Sequence, residues 1–175
     1  MENLAKETSA NRYYASKKRF GNYISEFSIK SKLALHLRIH TLFGGATPEP
    51  YMFLGQILHA MQTENIFKMT SGEQLREYHH LSDDTKAILK LASSPLHGPL
   101  DLSHGSPVKL KDLAHYIFEG FGQLSKLQVG VIPPPENDNF SQIFLRPEVL
   151  REEYFRDTLP SVLYYLRYCN AMPRI

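Results

Sequence analysis

Residues 33–40 constrain the fold of this chain more than any other stretch. Leu33, Leu35, Leu37 and Ile39 alternate with Ala34, His36, Arg38 and His40, a strict period of two. Alternation of that kind sends side chains to opposite faces of an extended strand, and a helix does not produce it. The strand runs on through Thr41-Leu42-Phe43 and ends at Gly44-Gly45, after which Pro48 and Pro50 keep the chain in a loop. Upstream the period becomes helical. Residues 1–12 are polar and read as a loop, and from Tyr14 onward Phe20, Tyr23, Ile24 and Phe27 share one helical face. Gly21 inside that helix costs propensity and points to a packing contact.

The remainder repeats the alternation of helix and strand. A helix is predicted over 51–63, with Phe53, Leu54, Ile57, Leu58 and Met61 on one face. Two short strands flank Thr70-Ser71-Gly72-Glu73, the second carrying Arg76-Glu77-Tyr78-His79-His80. Ser82 is placed to cap a helix over 83–92, with Asp83 and Asp84 in its positive first turn. A strand near Leu100–Leu102 leads past Gly105-Ser106-Pro107 into a helix with Leu113, Ala114, Ile117, Phe118 and Phe121 inward and Gly122 at its C-terminal cap. A strand over 127–132 runs into Pro133-Pro134-Pro135, and a helix or turn follows near 147–155. The last helix starts at Leu159, with Pro160 in its first turn. No internal repeat interrupts this order, and an α/β chain is expected.

With 175 residues, 42% of them hydrophobic, the chain can bury one ordinary core. Twenty basic residues against 18 acidic ones give no field that would steer a polyanion, so no nucleic-acid partner is expected. Ser16-Lys17-Lys18-Arg19, the densest basic run, reads as the solvated face of a helix. A single cysteine, Cys169, excludes an internal disulfide framework and a cysteine zinc site, and reads as a small apolar residue of the last helix. No apolar run is long enough to span a bilayer and the start lacks the apolar core of a signal peptide, so a soluble, cytoplasmic protein is expected.

Chemistry is offered first by Tyr13 and Lys17, which share one face of the first helix. A nearby ammonium lowers a phenol's pKa and readies it for proton transfer near neutral pH. Spacing alone leaves two alternatives open: a second register, Tyr14 with Lys18, and a merely packed tyrosine beside a solvated lysine. The histidines do not suggest a metal. His36 and His40 sit on a strand, about 13 Å apart by its rise, and His79 and His80 point to opposite faces.

In context the sequence resembles the extended short-chain dehydrogenases/reductases, the NAD-dependent nucleotide-sugar epimerases and dehydratases. Tyr13, Ser16 and Lys17 match the start of that family's active-site helix, and Leu37-Arg38-Ile39-His40-Thr41-Leu42-Phe43-Gly44-Gly45 is similar to its strand running into an aromatic-glycine turn. Gly72-Glu73-Gln74-Leu75-Arg76-Glu77-Tyr78, then His80, Leu81 and Asp83, resembles its glycine-x-glutamine-x-arginine segment. Gly105-Ser106-Pro107-Val108-Lys109-Leu110-Lys111-Asp112-Leu113 resembles its late turn and helix entry. Four matches in the family's order are far more specific than any one of them. The resemblance implies that Tyr13 is the catalytic acid/base and that Lys17 tunes it and helps hold the cofactor. It implies that Arg76 pairs with the nucleotide diphosphate, as a guanidinium suits phosphate oxygens, with Thr41 and Phe43 in the substrate-binding turn. Asp83 can cap its helix or orient His80, and capping is the reading adopted.

Two departures are local. Thr41 stands where the family often has asparagine, so one hydroxyl replaces an amide's donor and acceptor. Gly45 stands where the family has proline, leaving the turn looser. The larger departure is upstream: no G-x-x-G-x-x-G turn and no catalytic serine or threonine precede Tyr13. The expectation is therefore a partial Rossmann-like sheet, with its last strands and helices, joined to a small α/β substrate-binding domain. Residues 1–45 would be the Rossmann remnant carrying the tyrosine-lysine helix. Residues 46–175 would be mainly the substrate-binding region, with an interleaved Rossmann strand and helix. NAD or NADP is the family's cofactor, and this chain alone is expected to bind neither. The expected partners are a nucleotide-sugar, a separate Rossmann-half chain and further copies of itself. The alternative is a non-catalytic remnant that binds a nucleotide-sugar or a protein; an unrelated α/β module is the remaining reading.

Overall fold

The computed structural model describes residues 9–32, 34–133 and 138–172; the side chains of residues 9–11, 13 and 14 lie outside that description, as do Leu33, Pro134 and Pro135. Helix α1 spans Ser9–Ser31 and begins inside the segment read as a loop. Apolar periodicity cannot report a first turn made of polar residues. The aromatic face of α1 is not the face that packs: Phe20 is 64% exposed, Tyr23 66% and Phe27 47%. The helix meets the sheet through small residues instead. Ser28 is fully buried and its hydroxyl donates to Ile24 O, Ser25 Oγ lies 2.9 Å from His36 Nδ1, and a Cβ at Gly21 would touch the His36 ring.

Strand β1 (Leu35–Ile39) pairs in parallel with β6 (Gly98–Leu102), Leu35 opposite Gly98 and Ile39 opposite Leu102. Its leucines face a core cluster of Ala87, Leu91, Leu102 and Leu150. On the other face the register partners Arg38 and Asp101 form an ion pair at 2.6 Å. The predicted strand through Phe43 is in fact two. At His40 the ladder changes partner, and β2 (Thr41–Phe43) pairs in parallel with β5 (Tyr78–His80). Thr41 N–H donating to Glu77 O begins the new ladder.

The larger core lies between α2 (Phe53–Thr63), α4 (Leu110–Gly120) and α5 (Thr158–Ala171), with Ile57, Leu113, Ile117, Phe118, Val162 and Leu166 fully enclosed or nearly so. Strand β3 (Phe67–Met69) pairs in parallel with β8 (Leu127–Val129) alongside it. Helix α2 crosses the preceding loop so closely that a Cβ on Gly55 would stand 1.9 Å from Glu49 O. The segment read as one strand over 76–80 is split: β4 (Leu75–Arg76) pairs antiparallel with β7 (Val108–Lys109), and Glu77 separates it from β5. Strand β8 stops at Val129, short of the expected Ile132. Gly130 turns the chain at φ +83°, and the amides of Gly130, Val131 and Ile132 all donate to Met69 O. Residues 148–150 form one 3₁₀ turn. Cys169 is buried on α5, as expected. No helix among the described residues is long and apolar enough to cross a membrane.

Helix α3 (Leu81–Ala92) corrects the expected cap. Its N-cap is His80, whose Nδ1 accepts from Ser82 N–H at 3.2 Å and lies 2.7 Å from Ser82 Oγ. Ser82 is thus inside the helix. An imidazole nitrogen at the end of a strand provides the acceptor that a serine otherwise gives. Burial, with Arg156 nearby, lowers the His80 pKa, which keeps that nitrogen an acceptor.

Candidate functional site

The partner change at His40 places the ends of β2 and β5 side by side, and a cleft of two lobes opens there. One lobe, about 590 Å³, is lined among others by Thr41, Phe43, Arg76, Tyr78 and Tyr165. The other, about 640 Å³, is lined by His40, Arg76, Glu77, Asn139, Gln142 and Phe144. Thr41, Leu42, Met52 and Arg76 belong to both, so Arg76 stands on the wall between them. The turn after β2 is fixed by Gly44, φ +94°, where any Cβ would fall 2.5 Å from the His80 ring. That ring meets Phe43 edge-on at 5.3 Å, and Phe43 in turn packs on Tyr165, whose hydroxyl donates to Ala46 O.

Arg76 donates through Nη1 to Leu75 O at 2.9 Å and through Nη2 to the Asp138 carboxylate. The structure therefore brings together three residues expected at a substrate site, Thr41, Phe43 and Arg76. Lys17 is exposed on α1 and is not among the residues lining either lobe. The backbone of Tyr13 lies in α1, but its side chain falls outside the described residues.

Behind the cleft is a buried polar cluster that the sequence reading did not identify. Glu77 Oε1 accepts from Ser103 Oγ at 2.7 Å, and Oε2 accepts from His104 N–H and lies 2.8 Å from His79 Nε2. The Asp84 carboxylate takes His79 Nδ1 at 3.0 Å and His104 Nε2 at 2.8 Å. Burial pushes Glu77 and Asp84 upward, but their bonds more than reverse it and hold both below the ordinary carboxylate range. Burial disfavours charge on both rings. In His79, bonded to two carboxylates, their pull wins and the pKa rises; in His104, with one, it falls. With both carboxylates ionised, each nitrogen of His79 must donate, so His79 is the imidazolium and His104 the neutral ring.

Asp83 does not cap α3. Both its oxygens hold Arg156, one at the backbone N–H at 3.1 Å and the other at the guanidinium. Two signals for the cluster were present in the sequence: Asp84 interrupts the apolar stripe of Ala87 and Leu91, and His79 takes an inward position of β5. One ligand atom from each of His79, Asp84 and His104 lies within 4.8 Å of the others, the only such metal-ligating trio among the described residues. An ion bound to both imidazoles must lie near both ring planes. These rings are 3° from parallel with centroids 3.5 Å apart, so no such point exists.

Parallel strand pairs connected through helices, with a cleft where the ladder changes partner, form a Rossmann-like α/β fold. Solved structures of that fold include a Methanobrevibacter ruminantium UDP-N-acetylglucosamine 4-epimerase in complex with UDP-N-acetylmuramic acid, similar at TM-score 0.68 and 17% identity over 97% of this chain and 57% of that one. A Thermotoga maritima UDP-glucose 4-epimerase with UDP-glucose is similar at TM-score 0.70 and 17% identity, covering 88% of this chain and 52% of its own. A Thermus thermophilus UDP-glucose 4-epimerase in complex with NAD gives 0.70 and 16%, covering 91% and 54%. This chain thus spans little more than half the length of these structures. No protein-family model matches the sequence, and no curated protein matches it.

Proposed function

We propose that this chain is the substrate-binding half of an NAD(P)-dependent nucleotide-sugar epimerase, dehydratase or reductase, with Arg76, Thr41 and Phe43 receiving the nucleotide diphosphate and its sugar. The observation that carries this reading is the convergence of those three residues on one cleft in a fold whose solved relatives include complexes with UDP-sugars. Arg76 supplies charge and a planar donor fork. Thr41 supplies one hydroxyl, and the Phe43–Tyr165 contact gives the turn a rigid apolar wall. In this reading residues 1–45 belong to the dinucleotide-binding part of such an enzyme and residues 46–175 mainly to its substrate-binding part.

In this reading the starts of α3 and α4 and the Gly44 turn are not where a dinucleotide binds. A pyrophosphate needs open amides at a helix N-terminus reached through a glycine turn. Before α3 the Ser82 amide is taken by His80, and before α4 those of Leu110 and Lys111 are taken by Gln74 O and Gly72 O. The Gly44 turn is filled by the His80 ring. In this reading turnover uses a glycine-rich Rossmann half in addition to the described residues, in whose presence Tyr13 exchanges a proton with the sugar hydroxyl and Lys17 lowers the tyrosine's pKa.

Calorimetric titration of the 175-residue chain tests this reading. UDP-glucose should bind, and Arg76→Ala should weaken it by about 1–3 kcal/mol through lost charged hydrogen bonds. NAD(H) and NADP(H) should give no micromolar binding. Tight cofactor binding, or an Arg76→Ala variant as good as the wild type, would sink it.

A further inference from the structure

We propose that Asp138 is an internal competitor for the ligand's phosphate: its carboxylate occupies Arg76, and an incoming diphosphate binds by displacing it. The inference rests on the reading of Arg76 as the phosphate-binding residue. Arg76 is the only lysine or arginine among the described residues that line either lobe, where Glu49 and Glu77 also stand. Its guanidinium is already paired, with the Asp138 side chain 14% exposed and that of Arg76 33%. As it stands, the cleft offers an anion no uncompensated cation. Carboxylate and phosphate oxygens use the same guanidinium fork, so the two exclude each other there.

Asp138 is delivered to this position by a built turn. Asn139 N–H donates to Asp138 Oδ1 at 2.7 Å, and Asn139 O accepts from Leu75 N–H at 2.8 Å. Asn139 Oδ1 accepts from Gln142 N–H at 2.8 Å and its Nδ2 donates to Gln142 O. Residues 138–142 are thereby anchored to β4 one residue before Arg76, which keeps the carboxylate at high local concentration against any free anion. The consequence is a threshold. A weakly charged ligand gains little by trading places with Asp138, whereas a diphosphate brings enough charge to win.

UDP titrated calorimetrically into the full chain at low ionic strength separates the roles. Asp138→Asn keeps the side-chain shape and removes the charge, and it should bind UDP about tenfold more tightly than the wild type, the gap narrowing as salt is added. Asp138→Ser, a second variant with the same charge change, should shift affinity in the same direction. Arg76→Ala should lose most of the binding. If both Asp138 variants bind UDP no better than the wild type while Arg76→Ala is impaired, Asp138 orients Arg76 instead of competing, and the inference falls while the cleft reading stands. If Arg76→Ala binds as well as the wild type, or no protein binds UDP, both fall.

Discussion

The rings of His79 and His104 lie face to face, 3.5 Å between centroids and 3° from parallel, and both are bonded to Asp84. Phe155 stacks on the outer face of His104 at 3.7 Å, and the Arg146 guanidinium lies 4.9 Å from the Phe155 ring centroid. This column ties β5, α3 and the segment 103–105 together beside the cleft. Its stability depends on charge compensation in a place that water does not reach.

Asp84→Asn should therefore cost about 2–4 kcal/mol, because the His79 imidazolium loses one of two anions in a fully buried site. Urea unfolding followed by circular dichroism measures it. A loss under about 1 kcal/mol would mean that the cluster is not charged as described.

The same groups set a pH profile. Burial lowers the pKa values of His40, His80 and His104, so the unfolded chain takes up protons near pH 6.5 that the folded chain refuses, and stability falls as the pH drops below about 6.5. His79 has the opposite sign. Its contribution is full below the unfolded value and is lost as the pH rises through its raised folded value. Glu77 and Asp84, with lowered values, contribute above the ordinary carboxylate range and lose this as the pH falls through their folded values. Urea midpoints should peak near neutrality and decline on the acid side, by up to about 1.4 kcal/mol per pH unit for each excess proton. Stability that rises steadily from neutral to mildly acid pH would show His79 outweighing the other three histidines.

The exposed face of Phe20, Tyr23 and Phe27 should drive self-association, since a patch of that kind rarely stays bare on a monomer. Light scattering at micromolar concentrations should give a mass above that of one chain, and Phe20→Lys with Tyr23→Lys should restore the monomer. A strictly monomeric wild type would contradict this.

In an assembly completed by a Rossmann half, Tyr13→Phe should reduce turnover by about 10²–10⁴ while leaving nucleotide-sugar affinity intact. Tyr14→Phe should be mild. Loss of activity on Tyr14→Phe alone would move the catalytic register by one residue, to Tyr14 and Lys18.

The sequence by itself determined the order of elements, because period and punctuation are local. Leu35 and Leu37 alternate, Leu54, Ile57, Leu58 and Met61 or Leu113, Ala114, Ile117 and Phe118 recur at helical spacing, and glycines close the runs. It also carried Arg76 and the Thr41–Phe43 turn, which the tertiary structure then brought to one cleft. What it could not show were choices of partner. The break at His40 is invisible along the chain because the backbone stays extended on both sides; only pairing with β6 and then with β5 separates β1 from β2. Arg156 claimed Asp83 because residues 73 positions apart in sequence meet there, and His80 replaced Ser82 as the cap with its ring set between Phe43 and the Gly44 turn. Asp84, His79 and His104 each look anomalous alone, and Asp138 looks like an ordinary loop residue. Their roles depend on ion pairs and ring contacts across long sequence separations, which only the folded chain decides.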